Sequence, residues 1–270
     1  MVNMKSKYLC YSDTHLNFTF PWTKYRFVNK IAAEQATGLF LPGDIACGLT
    51  IKQMLAFLAK KLDIPIYFVI GNHDSYGTSF QETHAAIRDI CDKYPHLIWL
   101  TDHEVIGLND EACIIGDDGW YDARLGNLDY IAYNFDWMTI GEFRLLKSFA
   151  EKLAYSRELA DQSTAALKSK LKKALDIYQT VYIMTHMPPW REAVRGLGTE
   201  LEAFWLPYSI NSRMGEMIEE VMRDRGNQNV IVLSGHTHTP AIINVSHNIE
   251  CIVQNGKYLG SPTEHNCVFI

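Results

Sequence analysis

The sequence predicts an α/β fold in which two mixed sheets pack face to face with helices outside. Three observations predict it. Five short apolar runs each break off at glycine, proline or small polar residues, segments between several of them space apolar residues at three and four, and two further strand groups carry internal turn residues. The five runs, residues 8–11, 38–41, 66–70, 181–184 and 230–233, have the length and the β-branched or aromatic enrichment of buried strands. Residues 24–36, 49–62 and 80–93 read as helices with one apolar face. Strand followed by helix followed by strand is α/β grammar, and ligands gather beyond the C-terminal strand ends in such layers.

Residues 142–176 contain no glycine or proline and carry Leu, Phe, Ala, Lys and Glu at helical spacing, so one long helix or two abutting ones are expected there. They would form a helical insertion near 140–178. Its lysines, Lys168, Lys170, Lys172 and Lys173, have no interleaved aromatics and read as a solvated helix face. Residues 97–115 and those from 241 onward read as antiparallel groups, with turns at Asn109-Asp110 and His247-Asn248.

No repeat, low-complexity linker or Pro/Gly/Ser-rich boundary divides the 270 residues, which points to one domain over 1–270. With 47% hydrophobic and 21% charged residues the chain can bury a sizeable core. The formal charge of −6, from 25 Lys plus Arg against 31 Asp plus Glu, gives no general attraction to a phosphate backbone, so long nucleic acid is not an expected partner. Six scattered cysteines without a Cys-x-x-Cys pair suit buried thiols in a reducing compartment. The apolar run at 8–11 is too short for a signal-peptide core, and no stretch reaches membrane-spanning length; a cytoplasmic protein is expected.

The polar residues at the ends of the five runs carry the chemistry. Asp13 and His15 stand two apart after the first run, a spacing that would point both to one face of a strand and let an oxygen and a nitrogen share one metal. Alone, such a pair is weak evidence, as is Gly43-Asp44 after the second run. Gly71-Asn72-His73-Asp74 is more informative: a turn seldom needs all three polar types, whereas a metal centre can use the Asn72 amide oxygen, a proton carrier at His73 and an orienting carboxylate at Asp74. His186 follows the fourth run before Pro188-Pro189, and His236 and His238 follow the fifth. Asp13, His15, Asp44, Asn72, His186, His236 and His238 are too many donors for one tetrahedral zinc and suit two divalent ions sharing a ligand. Mixed nitrogen and oxygen donors without thiolate point to manganese, iron, zinc, cobalt or nickel, with manganese favoured. Two ions about 3.5–4 Å apart clamp the attacking and leaving oxygens of a displacement at phosphorus.

In order and type, these motifs closely resemble those of the calcineurin-like metallophosphoesterase superfamily over residues 13–238. The resemblance implies a four-layer α/β/β/α sandwich. It also implies that Asp13, His15 and His238 bind one metal, Asp44 bridges, and Asn72, His186 and His236 bind the second. A bridging water or hydroxide would be the nucleophile, and His73, partnered by Asp74, would stabilise the transition state or protonate the leaving oxygen. Where many relatives carry a further acidic residue shortly after the bridging aspartate, this chain has Ile45-Ala46-Cys47-Gly48, so support for the bridge would differ.

Substrate choice belongs to the loops. Arg124 is a candidate for a second phosphate contact, and Trp190, Arg191, Phe204, Trp205 and Tyr208 lie in a loop at 187–209 that could form a lid and stack a nucleobase or line an organic pocket. The expected activity is hydrolysis of a small-molecule or nucleotide phosphoester, as phosphodiesterase or phosphatase. A nuclease of the same superfamily is disfavoured by the acidic charge, and a non-catalytic scaffold by the complete ligand set.

Overall fold

The computed structural model describes residues 6–129, 134–194, 199–256 and 266–270. Residues 1–5, the 195–198 stretch of the expected lid and the Cys267 side chain lie outside the described residues. In chain order the strands are β1 (Lys7–Cys10), β2 (Gly38–Pro42), β3 (Ile66–Val69), β4 (Leu97–Trp99), β5 (Ile106–Gly107) and β6 (Ala112–Gly116). They continue with β7 (Thr180–Met184), β8 (Asn229–Ser234), β9 (Ala241–Ser246), β10 (Ile249–Val253) and β11 (Asn266–Phe269). The helices are α1 (Pro21–Ala33), α2 (Ile51–Lys61), α3 (Phe80–Lys93), α4 (Asp136–Thr139), α5 (Gly141–Leu145), α6 (Phe149–Leu175), α7 (Thr199–Trp205) and α8 (Ser212–Met222).

Two mixed sheets result, one ordered β11-β1-β2-β3-β4 and the other β5-β6-β7-β8-β10-β9. The strand period of two gives each sheet two apolar faces. Tyr8, Cys10, Phe40, Val69, Ile114, Met184 and Leu233 meet between the sheets. The alternate residues Leu9, Leu39, Leu41 and Phe68 pack outward on Phe27, Ile31, Leu55, Leu58, Ile87 and Ile90 of α1, α2 and α3. On the other side Cys113, Ile115, Val181, Ile183 and Val232 pack on Leu167 and Leu171 of α6 and Met214 and Ile218 of α8. The four layers are therefore helix, sheet, sheet, helix.

Local chemistry explains where helices start. Ser79 with Glu82, and Ser148 with Glu151, form reciprocal capping boxes at the N-termini of α3 and α6. Pro21 opens α1, where its missing N–H leaves no helical bond unmade.

Three expectations are corrected. Residues 97–115 are not one antiparallel group: β4 runs parallel to β3, and a short 3-10 turn at Leu100–Asp102 carries the chain to the other sheet, where β5 and β6 form the antiparallel pair. The β9–β10 hairpin forms around 247–248 as expected, but β11 departs to pair with β1. Finally, Lys170 is not on a solvated face. It is buried, and its Nζ donates to the carbonyls of Leu100, Thr101 and Gly116 at 2.8–3.1 Å, tying α6 to the crossover between the sheets. Lys168 and Lys173 do face solvent, paired with Glu220 and Glu104.

Candidate metal centre

The loops that follow β1, β2, β3, β7 and β8 meet at one end of the sandwich. Five of the seven expected donors there have left-handed backbone: Asp13 (φ 51°), His15 (φ 41°), Asp44 (φ 52°), His236 (φ 69°) and His238 (φ 54°). Side chains two apart thus converge through tight loop turns beyond the strand, not through the strand pleat that the spacing suggested. Each such residue costs on the order of 1–3 kcal/mol and persists only where its surroundings hold it. Here the loops lace together: Asp13 and His15 donate their N–H groups to the carbonyls of Gly43 and Asp44, and the His236 N–H donates to the Asp13 carboxylate at 3.0 Å.

Glycine is required where the donors crowd the chain. A Cβ at Gly71 would stand 2.1 Å from Asp44 Oδ1 and 2.6 Å from His186 Nε2, and one at Gly235 would stand 2.3 Å from Asp13 Oδ2.

Asp13, His15, Asp44 and His238 offer one donor atom each, all within 4.8 Å of one another. His15 Nε2 faces His238 Nε2 at 3.4 Å, and His238 Nε2 lies 3.1 Å from Asp13 Oδ1. Two imidazole nitrogens in that position can share a proton or a cation. Burial would raise the Asp13 carboxyl, but the bond from His238 and the nearby imidazoles hold it below its ordinary pKa of 3.8. Burial lowers His15 to about 4, so its ring is neutral and able to donate a lone pair at pH 7.

On the other side of Asp44 stand Asn72, His186 and His236. Each has one polar atom anchored and the other turned inward. His186 Nδ1 donates to the Pro42 carbonyl at 2.8 Å, leaving Nε2 buried, without a hydrogen-bond partner, 3.4 Å from Asp44 Oδ1. Asn72 Nδ2 donates to Asp136 Oδ1 and to the Tyr76 hydroxyl, both at 2.8 Å, which leaves its Oδ1 buried and unpartnered. His236 Nε2 donates to the Tyr208 carbonyl at 2.9 Å, so Nδ1 carries the lone pair. Orphaned buried atoms are costly. A carbonyl oxygen and an imidazole nitrogen left so, beside a carboxylate, are what a divalent cation satisfies, and the donor set fits one. Burial opposes a charge on His186, yet Asp44 and Asp13 raise it to about 10; burial and His186 lower His236 to about 4.

A family model described as calcineurin-like phosphoesterase matches residues 6–240. The chain belongs to that family. No curated protein is similar enough in sequence to match. Among solved structures, the phosphopantetheinyl hydrolase of Mycobacterium tuberculosis is 16% identical with a TM-score of 0.65, over 99% of this chain and 97% of that one. A dimetal phosphatase from Danio rerio is 13% identical with a TM-score of 0.58, over 99% of both chains. At such identities the likeness is one of fold.

In this member of the family, His73 reaches the same centre from a 3-10 turn. Its Nε2 is 3.9 Å from Asp44 Oδ2, its N–H donates to Asp44 Oδ1 at 3.0 Å, and its ring lies 4.2 Å from that of Tyr76. Asp74, its expected partner, is engaged with backbone. The Asp74 carboxylate accepts backbone N–H bonds from Ile45, Ala46 and Gly71 at 2.7–3.3 Å, clamping the Asp44 loop to the Asn72 loop.

A cavity of about 630 Å³ opens over the centre. Asp44, Asn72, His73, His236 and His238 form its polar floor, and Phe135, Phe204, Trp205, Tyr208 and Tyr76 form much of its wall. Phe204, Trp205 and Tyr208 meet one another at 5.3–5.7 Å. Arg124, Trp190 and Arg191 are not among the lining residues. Trp190 is only 8% exposed, packs with Met214 and Met217, and donates to Glu219 at 2.7 Å. Arg124 pairs with Asp161 at 2.8 Å.

Sequence reading missed Tyr76 and Asp136. Asp136 Oδ1 takes bonds from Tyr76 (2.5 Å) and from Asn72, and its backbone N–H donates to Asn134. It fixes which way the Asn72 amide faces. No local pattern marks it, because it enters from α4, held in place by packing of Trp137 and Phe143 against Trp120, Tyr121 and Ala160.

Proposed function

We propose that this protein hydrolyses a small phosphoester at a dinuclear centre, with Asp13, His15 and His238 on one ion, Asn72, His186 and His236 on the other, and Asp44 shared. The observation that carries the reading is the pair of donor atoms on this side of the site, Asn72 Oδ1, buried without a hydrogen-bond partner, and His186 Nε2, buried 3.4 Å from Asp44 Oδ1. When bound, two divalent ions would supply a water acidic enough to attack at neutral pH and charge to offset the phosphoryl oxygens. The chain's own residues do the rest. Asp44 holds the two donor groups in register, and its negative charge keeps His186 aimed at it. His73, which lines the cavity, is placed to give a proton to the departing ester oxygen. Phe135, Phe204, Trp205 and Tyr208 take up the organic part of the ester and keep bulk water from it.

The donor set of imidazole, carboxylate and amide without thiolate suits manganese, iron, zinc, cobalt or nickel, and manganese is the metal proposed. Cys47, the thiol nearest the Asp44 loop, sits instead with Asn17 Nδ2 at 3.2 Å and the Thr50 hydroxyl. The described cysteines are all free thiols, and no described helix is long and apolar enough to cross a membrane, so the reading includes a reducing intracellular setting. Metal analysis of purified protein, followed by turnover of bis-p-nitrophenyl phosphate, p-nitrophenyl phosphate, cyclic nucleotides and dinucleoside polyphosphates with added manganese, tests it. Two ions per chain and hydrolysis of at least one ester are expected. Absence of metal-dependent hydrolysis across the panel would refute it.

A further inference from the structure

Two of the three helices over the first sheet, α1 and α2, are charged unlike the rest of the molecule. Residues 14–33 and 45–62, which contain α1 and α2, hold six cations and no Asp or Glu, although the chain as a whole carries six more acidic than basic residues. The cations are Lys24, Arg26, Lys30, Lys52, Lys60 and Lys61, of which Lys52 pairs with Asp89 of the next helix. The same surface exposes Phe18, Phe20, Trp22, Tyr25 and Leu49, with Trp22 61% and Phe20 54% accessible. These are large apolar groups standing in water on one patch, which a soluble surface rarely carries without a partner. The patch reaches the metal centre: the Phe18 ring lies 6.3 Å from that of His15.

We infer that the α1–α2 face docks on an anionic lipid bilayer, with Phe18, Phe20 and Trp22 entering the interfacial region and the surrounding lysines and arginine meeting lipid phosphates. A predominantly basic surface bearing Trp, Tyr and Phe is the composition of an interfacial anchor. Charge complementarity selects this occupant over a second copy of the chain, because apposing two such faces would bring like charges together. Ring geometry favours it over single-stranded nucleic acid: Phe20 and Trp22 stack on each other (4.7 Å, 3°), which closes one face of each ring to a base, and Tyr25 packs near-perpendicular to Phe57 with Lys61 above its ring. Apolar bulk remains available for insertion. Docked in this way, the protein would hold the mouth of its centre close to the membrane plane.

Sedimentation of the full chain with vesicles tests the docking without reference to catalysis. Binding is expected on phosphatidylcholine vesicles containing roughly a third phosphatidylserine and not on phosphatidylcholine alone, and it should fall steeply with salt. Phe20→Ala with Trp22→Ala should weaken it roughly tenfold, and Arg26→Glu with Lys60→Glu and Lys61→Glu on the order of a hundredfold. These side chains stand in solvent, so the melting temperature and turnover of a soluble ester should be unchanged. The inference is overturned if wild-type protein ignores the anionic vesicles, binds both compositions equally, or binds as well after either set of substitutions. It is equally overturned if the patch instead retains a single-stranded oligonucleotide, or if wild-type protein forms a dimer that the Phe20/Trp22 substitutions dissociate.

Discussion

The two sides of Asp44 are built differently. On one side Asp13, His15, Asp44 and His238 already have their donor atoms within 4.8 Å, and they hold one another: an imidazole pair, an imidazole on a carboxylate. On the other side each donor is aimed by a group behind it, Pro42 for His186, Tyr208 for His236 and Asp136 with Tyr76 for Asn72. The first set is drawn together by contacts among its own members, and the second is aimed by bonds from the groups behind it. Outer partners tune metal affinity strongly, so the two ions of the proposed centre should respond to different substitutions.

Asp44 is the one residue that belongs to both sides, and its loss should do most. Asp44→Asn is expected to empty both sites and to remove activity by more than about a thousandfold, with elemental analysis showing the metal loss. Retention of one ion at full occupancy would mean the sides are independent. His73→Asn isolates chemistry from binding: both ions stay, and turnover falls by roughly 10²–10⁴-fold. Equal losses of metal and turnover would place His73 in the frame instead.

Asp136→Ala separates the sides most cleanly. It frees the Asn72 amide to rotate, so the second ion should bind on the order of 10–100-fold more weakly while the first is unaffected; metal titration by calorimetry reads both sites. Tyr76→Phe, which removes one of the two acceptors of the amide, should act in the same direction by less. The protons distinguish the sides too. His186, raised to about 10, is charged in the metal-free protein at pH 7 and must release that proton for an ion to bind. Affinity on its side should therefore rise with pH toward about 10, and calorimetry in buffers of different ionisation enthalpy should show the release. Because its folded pKa lies above the ordinary 6.5, the metal-free protein keeps the stability of charged His186 beside Asp44 below about 6.5 and loses it as pH rises through about 10. The metal-loaded protein should show no such loss, which thermal melts across that range would read.

The residues that meet at this end of the sandwich were legible in the sequence because each follows an apolar run, and a run that stops at Asp, Asn or His announces itself. The four layers followed from the same runs and the helices between them. What stayed hidden depends on contacts between distant segments. Asp136 acts only because an aromatic cluster carries α4 to the centre. Lys170 looks like its exposed neighbours until the carbonyls of Leu100, Thr101 and Gly116 are seen to surround it. Asp74 was read as a partner for the adjacent His73, yet a carboxylate among three unsatisfied backbone N–H groups is held by them first. Sequence adjacency located the residue, and only the folded loops located its bonds.

Arg124 gives the smallest expected effect and tests the boundary of the site. Had it held a second phosphate oxygen, Arg124→Ala would raise KM for any substrate while leaving both ions in place. Its guanidinium instead lies against Asp161 on α6, a pair whose acid is about half exposed, and it is absent from the cavity wall. An exposed pair of this kind contributes about 0–1 kcal/mol. Arg124→Ala should therefore shift the melting temperature by little, leave metal content unchanged, and leave KM for p-nitrophenyl phosphate within about twofold. Trp205→Ala is the useful contrast, since that ring does line the cavity: it should raise KM for aromatic esters while sparing both ions. A rise in KM with Arg124→Ala and none with Trp205→Ala would mean that substrate approaches along α6 instead of beneath the aromatic wall.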